Sequence, residues 1–223
     1  MKWMILALVT LALCISASAN PTADSASITS VDGEAGRIAH LPVNITNVTN
    51  GPVQAVTFDL VYDHSILKLD CDNNDTLMGG DLTAGCNWTF ILGSNERSIT
   101  LATSNQSQTI QNGSSGSVVL LNFTVTGSAG ETTPLELSDI WVSGPGGYDC
   151  DLGTLPAING TFDVYKSGDV NSDGNITSVD AAIALRMAVR GECSKAADVS
   201  VDDRVTSLDA LMILQAAADN VVL

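Results

Sequence analysis

Apolar and polar residues alternate with a period of two through most of residues 25–164. The alternation is clearest in residues 39–45, 56–62 and 119–125, where an apolar residue fills every second position. Such a period, with many Val, Ile and Thr residues, predicts β-strands that bury one face in a core. Six further segments are strand candidates: residues 27–30, 66–70, 88–92, 98–103, 135–142 and 160–164.

Turn-forming residues separate these segments. Asp32-Gly33, Asn50-Gly51-Pro52, Asn112-Gly113 and Gly144-Pro145 with the two following glycines all have turn chemistry. About nine strands in roughly 140 residues, without a helical period, are typical of a two-sheet sandwich. The pattern therefore predicts a mainly β first domain, a sandwich of jelly-roll type, over residues 20–164.

The period changes after Tyr165. Residues 179–190 and 208–218 are rich in Ala, Leu, Met and Arg and predict two helices. Each helix follows an acidic segment, and residues 169–180 recur 29 positions later as residues 198–209. We interpret this recurrence as an internal duplication. It predicts a small all-α second domain over residues 165–223, joined to the sandwich without a Pro- or Ser-rich linker.

The duplicated segment has the spacing of a calcium-binding loop. Calcium takes six to eight hard oxygen ligands from loop positions 1, 3, 5, 7, 9 and 12, and a residue with positive φ is needed at position 6. Position 7 contributes its carbonyl oxygen, and position 9 often acts through water. The candidate ligands are Asp169, Asn171, Asp173, Asn175, Thr177 and Asp180 in the first loop, and Asp198, Ser200, Asp202, Arg204, Thr206 and Asp209 in the second.

The second loop departs from the first at two positions. Ser200 offers a weaker hydroxyl oxygen, and Asp203 replaces glycine where φ should be positive, a strain that costs ~1 kcal/mol. We therefore predict two calcium ions, with tighter binding in the first loop. Ile176 and Val205 are predicted to form a short β-contact between the loops. The alternative reading is that the aspartates stabilise helix N-termini without any metal.

Residues 169–219 resemble a type I dockerin, with two calcium-loop-plus-helix repeats and Asp at loop position 12. The resemblance implies that calcium orders the helices and that the helices bind a cohesin domain of another protein. It places specificity at loop positions 10 and 11. The same residue types in both copies imply a near-twofold symmetry that allows two binding orientations. The implied contact residues are Ser178, Val179, Leu185, Arg186, Arg190, Ser207, Leu208, Leu214 and Gln215; helix–helix packing is the alternative for Val179 and Leu208.

The sandwich resembles a cohesin domain. The resemblance rests on Val56–Asp63 followed by Ile66–Leu69, and on Gly36 and Leu41–Val43 before them. Cohesins are dockerin receptors related to carbohydrate-binding modules. The two resemblances together imply a calcium-dependent docking or scaffolding protein of the cohesin–dockerin, cellulosome type. Its partners would be a cohesin-bearing protein at the helices, and a dockerin-bearing protein or a polysaccharide at the sandwich.

The first nineteen residues have the pattern of a signal peptide. Lys2 precedes an apolar run over residues 3–15, and Ala17-Ser18-Ala19 has the small residues of a cleavage site. A lipoprotein site at Cys14 is the alternative, although Leu13 is bulkier than such sites prefer. No other run is long enough to cross a membrane. We therefore expect a secreted, extracellular protein, in solution or associated with the cell surface.

Charge and cysteine usage fit this location. The formal charge of -16 argues against nucleic acid as a partner, because phosphate binding relies on basic patches. Four cysteines follow the signal peptide, and of their three possible pairings we favour Cys71 with Cys86 and Cys150 with Cys193. Nine Asn-x-Ser/Thr sequons would suit a glycoprotein: Asn44, Asn47, Asn74, Asn87, Asn105, Asn112, Asn122, Asn159 and Asn175.

Two other functions remain as alternatives. A carbohydrate-binding protein needs exposed aromatic rings, for which Trp88, Trp141 and Tyr148 are the candidates; core or turn packing is the alternative for each. A glycosidase needs a marked pair of carboxylates, and no such pair is visible. His40 and His64 stand beside no nucleophile motif. We therefore expect no enzyme, although the chain could be an accessory part of a polysaccharide-degrading complex.

Overall fold

A computed structural model provides the structure of the chain and describes residues 20–69, 77–94, 96–145 and 154–219. Within these ranges, twelve strands precede two α-helices. The strands are β1 Thr22–Ile28, β2 Val31–Glu34, β3 Ile38–Thr49, β4 Ala55–Val61, β5 Leu67–Leu69, β6 Leu77–Gly79, β7 Thr89–Leu92, β8 Ser98–Ala102, β9 Gly116–Val125, β10 Thr132–Ser143, β11 Ala157–Ile158 and β12 Gly160–Tyr165. The helices are α1 Ser178–Arg190 and α2 Ser207–Ala217.

The strands form two six-stranded sheets that enclose one core. The first sheet has the order β11-β1-β3-β9-β5, with β6 also paired to β9, and the second has the order β2-β12-β10-β4-β8-β7. The period-two positions of β3, β4 and β9 point inward, and Leu41, Phe58, Leu121 and Phe123 are at most 1% exposed. The predicted fold class, a β-sandwich followed by two helices, is confirmed.

Three short strands were not predicted. β2, β6 and β11 contain two to four residues each, which is too few to display a period. The prediction of a turn at Asp32-Gly33 is wrong, since both residues lie in β2, paired in parallel with β12. The glycine serves close packing instead, because a Cβ at Gly33 would lie 2.1 Å from Cζ of Phe162.

Asn122 lies on the outer side of its sheet, as predicted, but it is only 7% exposed. His40 Nδ1 and Asn122 Oδ1 form a hydrogen bond, and Asn122 Nδ2 donates to Met78 Sδ at 3.3 Å. These neighbours cover the amide that a glycan would need. Asn74 lies outside the described residues, and the other seven sequon asparagines are partly or fully exposed.

The helical domain has a small core of its own. Ala184, Ala197 and Ile213 are fully buried in it, and Ile176 and Val205 pack in the same cluster. The predicted β-contact between Ile176 and Val205 is wrong, because the described residues of the two loops form no β-bridge there. Both loops approach each other through apolar side chains instead. The predicted helices are present within one residue of their expected bounds.

Some sequence predictions concern residues outside the described ranges. These include the signal peptide over residues 1–19, Tyr148, and two of the four cysteines, Cys71 and Cys150. Cys86 is half-buried, Cys193 is exposed, and neither forms a disulfide with another described residue. Both proposed cysteine pairs therefore stay predictions. In the ranges that the structure covers, no helix is long and apolar enough to cross a membrane.

Candidate calcium loops and docking surface

The first loop turns around Asp169, whose side chain is fully buried. The amide of Asp173 donates to its Oδ1 at 3.1 Å, and the amide of Gly174 donates to its Oδ2 at 2.8 Å. Gly174 has a φ of 88°, a conformation that glycine adopts without steric cost. The carboxylate at position 1 thus holds the sharp turn that brings positions 3 and 5 towards it.

Asp180 closes the first loop and starts α1. Its Oδ1 accepts from the amides of Val170 at 2.9 Å and Asn171 at 3.1 Å. Its Oδ2 accepts from the amide and the hydroxyl of Thr177, which is the N-cap of α1 in a reciprocal capping box. Asp180 therefore ties both ends of the loop to the first turn of the helix.

Asp173, at position 5, is exposed and accepts hydrogen bonds from its neighbours. Asn171 Nδ2 donates to Oδ2 and the amide of Asn175 donates to Oδ1, both at 2.9 Å. The side-chain bond from Asn171, followed by the backbone bond from Asn175, holds the pKa of the Asp173 carboxyl below its usual value. The group is therefore an anion at neutral pH, as a metal ligand must be.

The second loop repeats this arrangement. The amides of Asp202 and Asp203 donate to the two carboxylate oxygens of Asp198 at 3.1 and 2.9 Å. Asp209 is fully buried and accepts from the amide of Ser200 at 3.0 Å and from the amide and hydroxyl of Thr206, both at 2.8 Å. Thr206 is again the N-cap of a helix with a capping box.

Opposing effects act on the pKa of Asp209. Burial raises this pKa, but the hydrogen bonds from Thr206 and Ser200 to the ionised carboxylate lower it more, so the net pKa lies below the ordinary value. The carboxylate at position 12 of the second loop is therefore ionised at neutral pH although water does not reach it.

The donor set of both loops fits calcium. The buried carboxylates of Asp169, Asp180 and Asp209 form no salt bridge with a basic side chain of the described residues, and buried charge without a counter-charge is costly. Within the described residues, no three His, Cys, Asp or Glu side chains lie close enough together to hold a metal ion by themselves, so a metal in either loop would also need other oxygen ligands. The available ligands are instead mixed carboxylate, amide, hydroxyl and carbonyl oxygens, which calcium prefers. The assignment of individual ligands stays a prediction.

The predicted contact residues of the helices are exposed. Val179 is 56%, Leu185 48%, Leu208 55% and Leu214 46% exposed, which favours partner contact over helix–helix packing for Val179 and Leu208. The polar members of the predicted set, Ser178, Arg186, Arg190, Ser207 and Gln215, are exposed as well. The structure thus brings all nine predicted contact residues to the surface of the two helices.

Two further exposed apolar residues were missed. Val189 on α1 is 83% exposed and Leu211 on α2 is 51% exposed. Both follow the predicted contact residues at helical spacing, since Leu211 lies three residues after Leu208 and Val189 lies three after Arg186. This helical spacing is the sequence signal from which both residues could have been predicted.

The aromatic residues offer little to a carbohydrate. Trp88 is 7% exposed, and its Nε1 donates to the carbonyl of Gln108 at 3.0 Å. Trp141 is partly exposed, on the second sheet. His40 and His64 are exposed, and the ring of His64 lies 4.4 Å from that of Tyr62. Trp88 is therefore a core residue, and the two histidines are surface residues of the sandwich.

Comparison with known families gives two matches. The Cohesin domain family matches residues 25–154, and the Dockerin type I domain family matches residues 167–216. No curated protein matches the chain.

Solved structures similar to this chain include cohesin domains. One is the third cohesin ScaC from Acetivibrio cellulolyticus in complex with the ScaB dockerin, at 18% identity and a TM-score of 0.50, covering 63% of this chain and 98% of that chain. Another is a non-cellulosomal cohesin from the archaeon Archaeoglobus fulgidus, at 23% identity and a TM-score of 0.46, covering 66% and 93%.

Proposed function

We propose that this chain, which belongs to the cohesin family and also contains a type I dockerin domain, is a secreted, calcium-dependent docking component that links proteins outside the cell. Cohesin and dockerin domains are docking domains without catalytic activity, and together they support cellulosome-type assembly. The helical domain would bind a cohesin-bearing protein. The sandwich would bind a dockerin-bearing protein.

The observation that carries this proposal is the apolar surface of the two helices. Six large apolar side chains of this small domain are between 46% and 83% exposed: Val179, Leu185, Val189, Leu208, Leu211 and Leu214. Three of them lie on each helix, and groups of exposed apolar residues with polar residues around them mark protein-binding surfaces. Arg186, Arg190 and Gln215 supply such polar neighbours. The surface therefore fits a protein partner.

The loops make that surface dependent on calcium. Type I dockerin domains bind calcium, and here each loop ends in a carboxylate that also caps a helix, Asp180 for α1 and Asp209 for α2. Bound calcium would supply the positive charge that offsets the buried carboxylates. The two helices would then keep their N-termini in place, and the apolar residues would keep their common surface. We propose two ions, with the first loop the tighter site.

Sugar binding by the sandwich is less well supported. Trp88 is buried, so Trp141 is the one aromatic candidate that the described residues leave partly exposed. If the chain takes part in polysaccharide breakdown, the protein bound to it would act on the polysaccharide. We therefore propose the chain as a connector within such a complex, in solution or at the cell surface.

A capture experiment with the whole chain tests the proposal. Purified cohesin and dockerin domains are immobilised separately, and the chain is applied with calcium and then with EGTA. We expect at least one cohesin to retain the chain in calcium and to release it in EGTA. The variant carrying Asp180→Ala and Asp209→Ala should not be retained, because both helices lose a cap and a candidate ligand.

The matched control is Asp81→Ala, an exposed aspartate of the sandwich far from both loops in sequence. It removes one carboxylate and should leave capture unchanged. Capture that persists in EGTA, or that survives loss of both position-12 carboxylates, would refute calcium-ordered docking.

A further inference from the structure

The two helices expose different charges although their loops are duplicates. Positions 29 residues apart are equivalent, so Arg186 of α1 corresponds to Gln215 of α2, and Arg190 corresponds to Asp219 just beyond α2. All four residues are exposed. The near-twofold symmetry implied by the sequence therefore does not extend to charge, and only α1 presents a basic surface.

The basic surface of α1 is one continuous stripe, which we call the arginine stripe. It consists of Val179, Arg186, Val189 and Arg190, which share one side of the helix at spacings of three, four and seven residues. Arg190 contacts Glu192 at 3.5 Å, but their side chains are 58% and 48% exposed. Such an exposed pair contributes little, so both guanidinium groups are available to a partner.

The two outer faces of the sandwich also differ in charge. On the first sheet, the outward positions of β3, β5, β6 and β9 carry His40 and Lys68, and among the described strands of this sheet one exposed carboxylate is present, Asp24 of β1. On the second sheet, outward carboxylates follow one another across neighbouring strands. Asp32 pairs with Asp163 between β2 and β12. Further along the sheet, β10 and β4 contribute Glu136 and Asp59.

The part of this sheet around Glu136 and Asp59 is the surface that we call the acid face. Asp59 lies beside Ser98 of β8 in register, and Ile91 of β7, 54% exposed, lies beside Thr100. Apolar and hydroxyl side chains thus adjoin two carboxylates. The arginine stripe has the complementary composition, valines beside two guanidinium groups, and arginine pairs well with carboxylates.

The sandwich of the same chain does not cover the arginine stripe. Contact with the sandwich runs through the first loop, where Ser172 lies against Gly130, and through a cleft of about 320 Å³ whose lining includes Asp32 and Lys195. The first place is in the first loop, and the second is lined by residues 193–195, which follow α1, and by residues of the second loop. Neither includes a residue of the arginine stripe. Val189 stays 83% exposed, so a second molecule can reach α1.

The overall charges also favour contact between the two kinds of domain. Residues 20–164 contain 16 acidic and three basic residues, whereas residues 165–223 contain nine acidic and five basic residues. Two divalent ions would cancel the excess of four acidic residues in the helical domain. Repulsion between whole chains is screened over about 8 Å at physiological salt, whereas direct arginine–carboxylate contacts are screened much less.

We propose that the arginine stripe of one copy docks on the acid face of a second copy, so that the chain assembles head to tail. The contact uses α1 and not α2, because α2 lacks both arginines. The inference rests on the proposed docking function of the helical domain. A heterologous contact of this kind gives open chains unless the geometry closes them into a ring.

Sedimentation velocity of the whole chain from residue 20, over a wide concentration range, tests the proposal. In calcium at physiological salt we expect the mass to rise with concentration, and EGTA should reverse the rise. Arg186→Glu with Arg190→Glu should weaken association by about tenfold or more, since close charge pairs at interfaces are worth more than a kilocalorie each. Asp59→Lys with Glu136→Lys should weaken it to the same extent.

Mixing these two variants provides the sharpest readout. The reversed stripe of one variant complements the reversed face of the other, so the mixture should associate more tightly than either variant alone. Lys68→Glu, a charge reversal on the first sheet, is the matched control and should associate like the unchanged chain. Far-UV circular dichroism in calcium checks that each variant keeps its fold.

A chain that stays monomeric in calcium at every concentration would overturn the inference. Association that reversal of both arginines leaves as tight as in the unchanged chain, or a mixture that associates no more tightly than either variant alone, would overturn it as well. These outcomes are separate from failure of the proposed docking function, because capture by a separate cohesin can persist in a chain that does not bind itself.

Discussion

The first and second calcium loops share most of their hydrogen bonds but lie in unequal surroundings. Position 1 is fully buried in the first loop, at Asp169, but only half-buried in the second, at Asp198. Position 6 is glycine in the first loop and Asp203, with a φ of 64°, in the second. Duplication has thus preserved most of the hydrogen-bond pattern while the accessibility and the strain of the two sites have diverged.

Position 4 adds to this difference. Ser172 and Val201 both have a φ of 57°, a region that β-branched residues rarely adopt. Val201 is also 87% exposed, so no packing offsets its strain. The second loop therefore holds two unfavourable residues where the first holds a serine and a glycine.

The first loop is also supported by neighbours. Lys166 Nζ donates to the carbonyl of Gly174 at 3.0 Å, and Ser172 lies against Gly130 of the sandwich. The salt bridge of the second loop, Lys195 with Asp203 at 3.7 Å, is exposed and contributes little. Near-identical loops can therefore differ in calcium affinity because of what packs against them.

The largest effect is expected from Asp180→Ala. The change removes the capping-box partner of the N-cap Thr177, a candidate ligand, and the acceptor of four hydrogen bonds, so we expect about 3 kcal/mol of lost stability in the helical domain. Asp209→Ala should cost less, because we propose that the second loop binds calcium less tightly. Thermal unfolding followed by far-UV circular dichroism in calcium measures both.

Asp180→Asn serves as the control for this prediction. It retains a side-chain oxygen for the cap but removes the charge, so it should lose calcium binding while α1 remains largely formed. Equal destabilisation by Asp180→Ala and Asp209→Ala would show that the two loops do not differ as described.

An exchange of the residues at position 6 should narrow the difference between the loops. Asp203→Gly relieves a positive φ and should tighten calcium binding in the second loop by about 1 kcal/mol, or about fivefold. Gly174→Asp should weaken the first loop by a similar factor. Calcium titration by isothermal calorimetry measures both changes. If Asp203→Gly does not change the calcium affinity of the second loop, position 6 does not cause the difference between the two loops.

A smaller effect is expected from Gly130→Ala. The new Cβ would lie 3.0 Å from Cβ of Ser172, so the first loop must shift, and its calcium affinity should fall by about twofold to fivefold. The second loop should be unaffected. Gly113→Ala is the matched control, because Gly113 also has a positive φ of 78° but nothing lies within 4 Å. If both variants change calcium binding equally, the sandwich does not support the first loop.

Much of the fold could be predicted from the sequence. Residues of β3, β4 and β9 alternate strictly because each strand has one face in the core, and the helix N-termini follow from Thr177 and Thr206 three residues before an aspartate. β2, β6 and β11 could not be predicted, since two to four residues show no period. Asp32-Gly33 has the residue types of a turn. Gly33 nevertheless lies in a strand, because the ring of Phe162 leaves no room for a side chain there.

The candidate calcium ligands could be predicted, because their positions within each loop follow from the spacing of residues in the sequence. Loop positions 1 to 12 are set by local sequence, so the ligand candidates could be named together with the strain at Asp203. The strain at Val201 could not, because residue type alone does not report φ. The burial of Asp169 depends on tertiary neighbours, which local patterns do not contain. The different charges of the two helices, by contrast, follow from comparing residues 29 positions apart.

Calcium titration of the whole chain by isothermal calorimetry shows whether the two loops are separate, unequal calcium sites. We predict two binding events of unequal affinity, with the tighter one abolished by Asp180→Ala and the weaker one abolished by Asp209→Ala. A single event, two equal events, no binding at all, or loss of the tighter event in Asp209→Ala would contradict it.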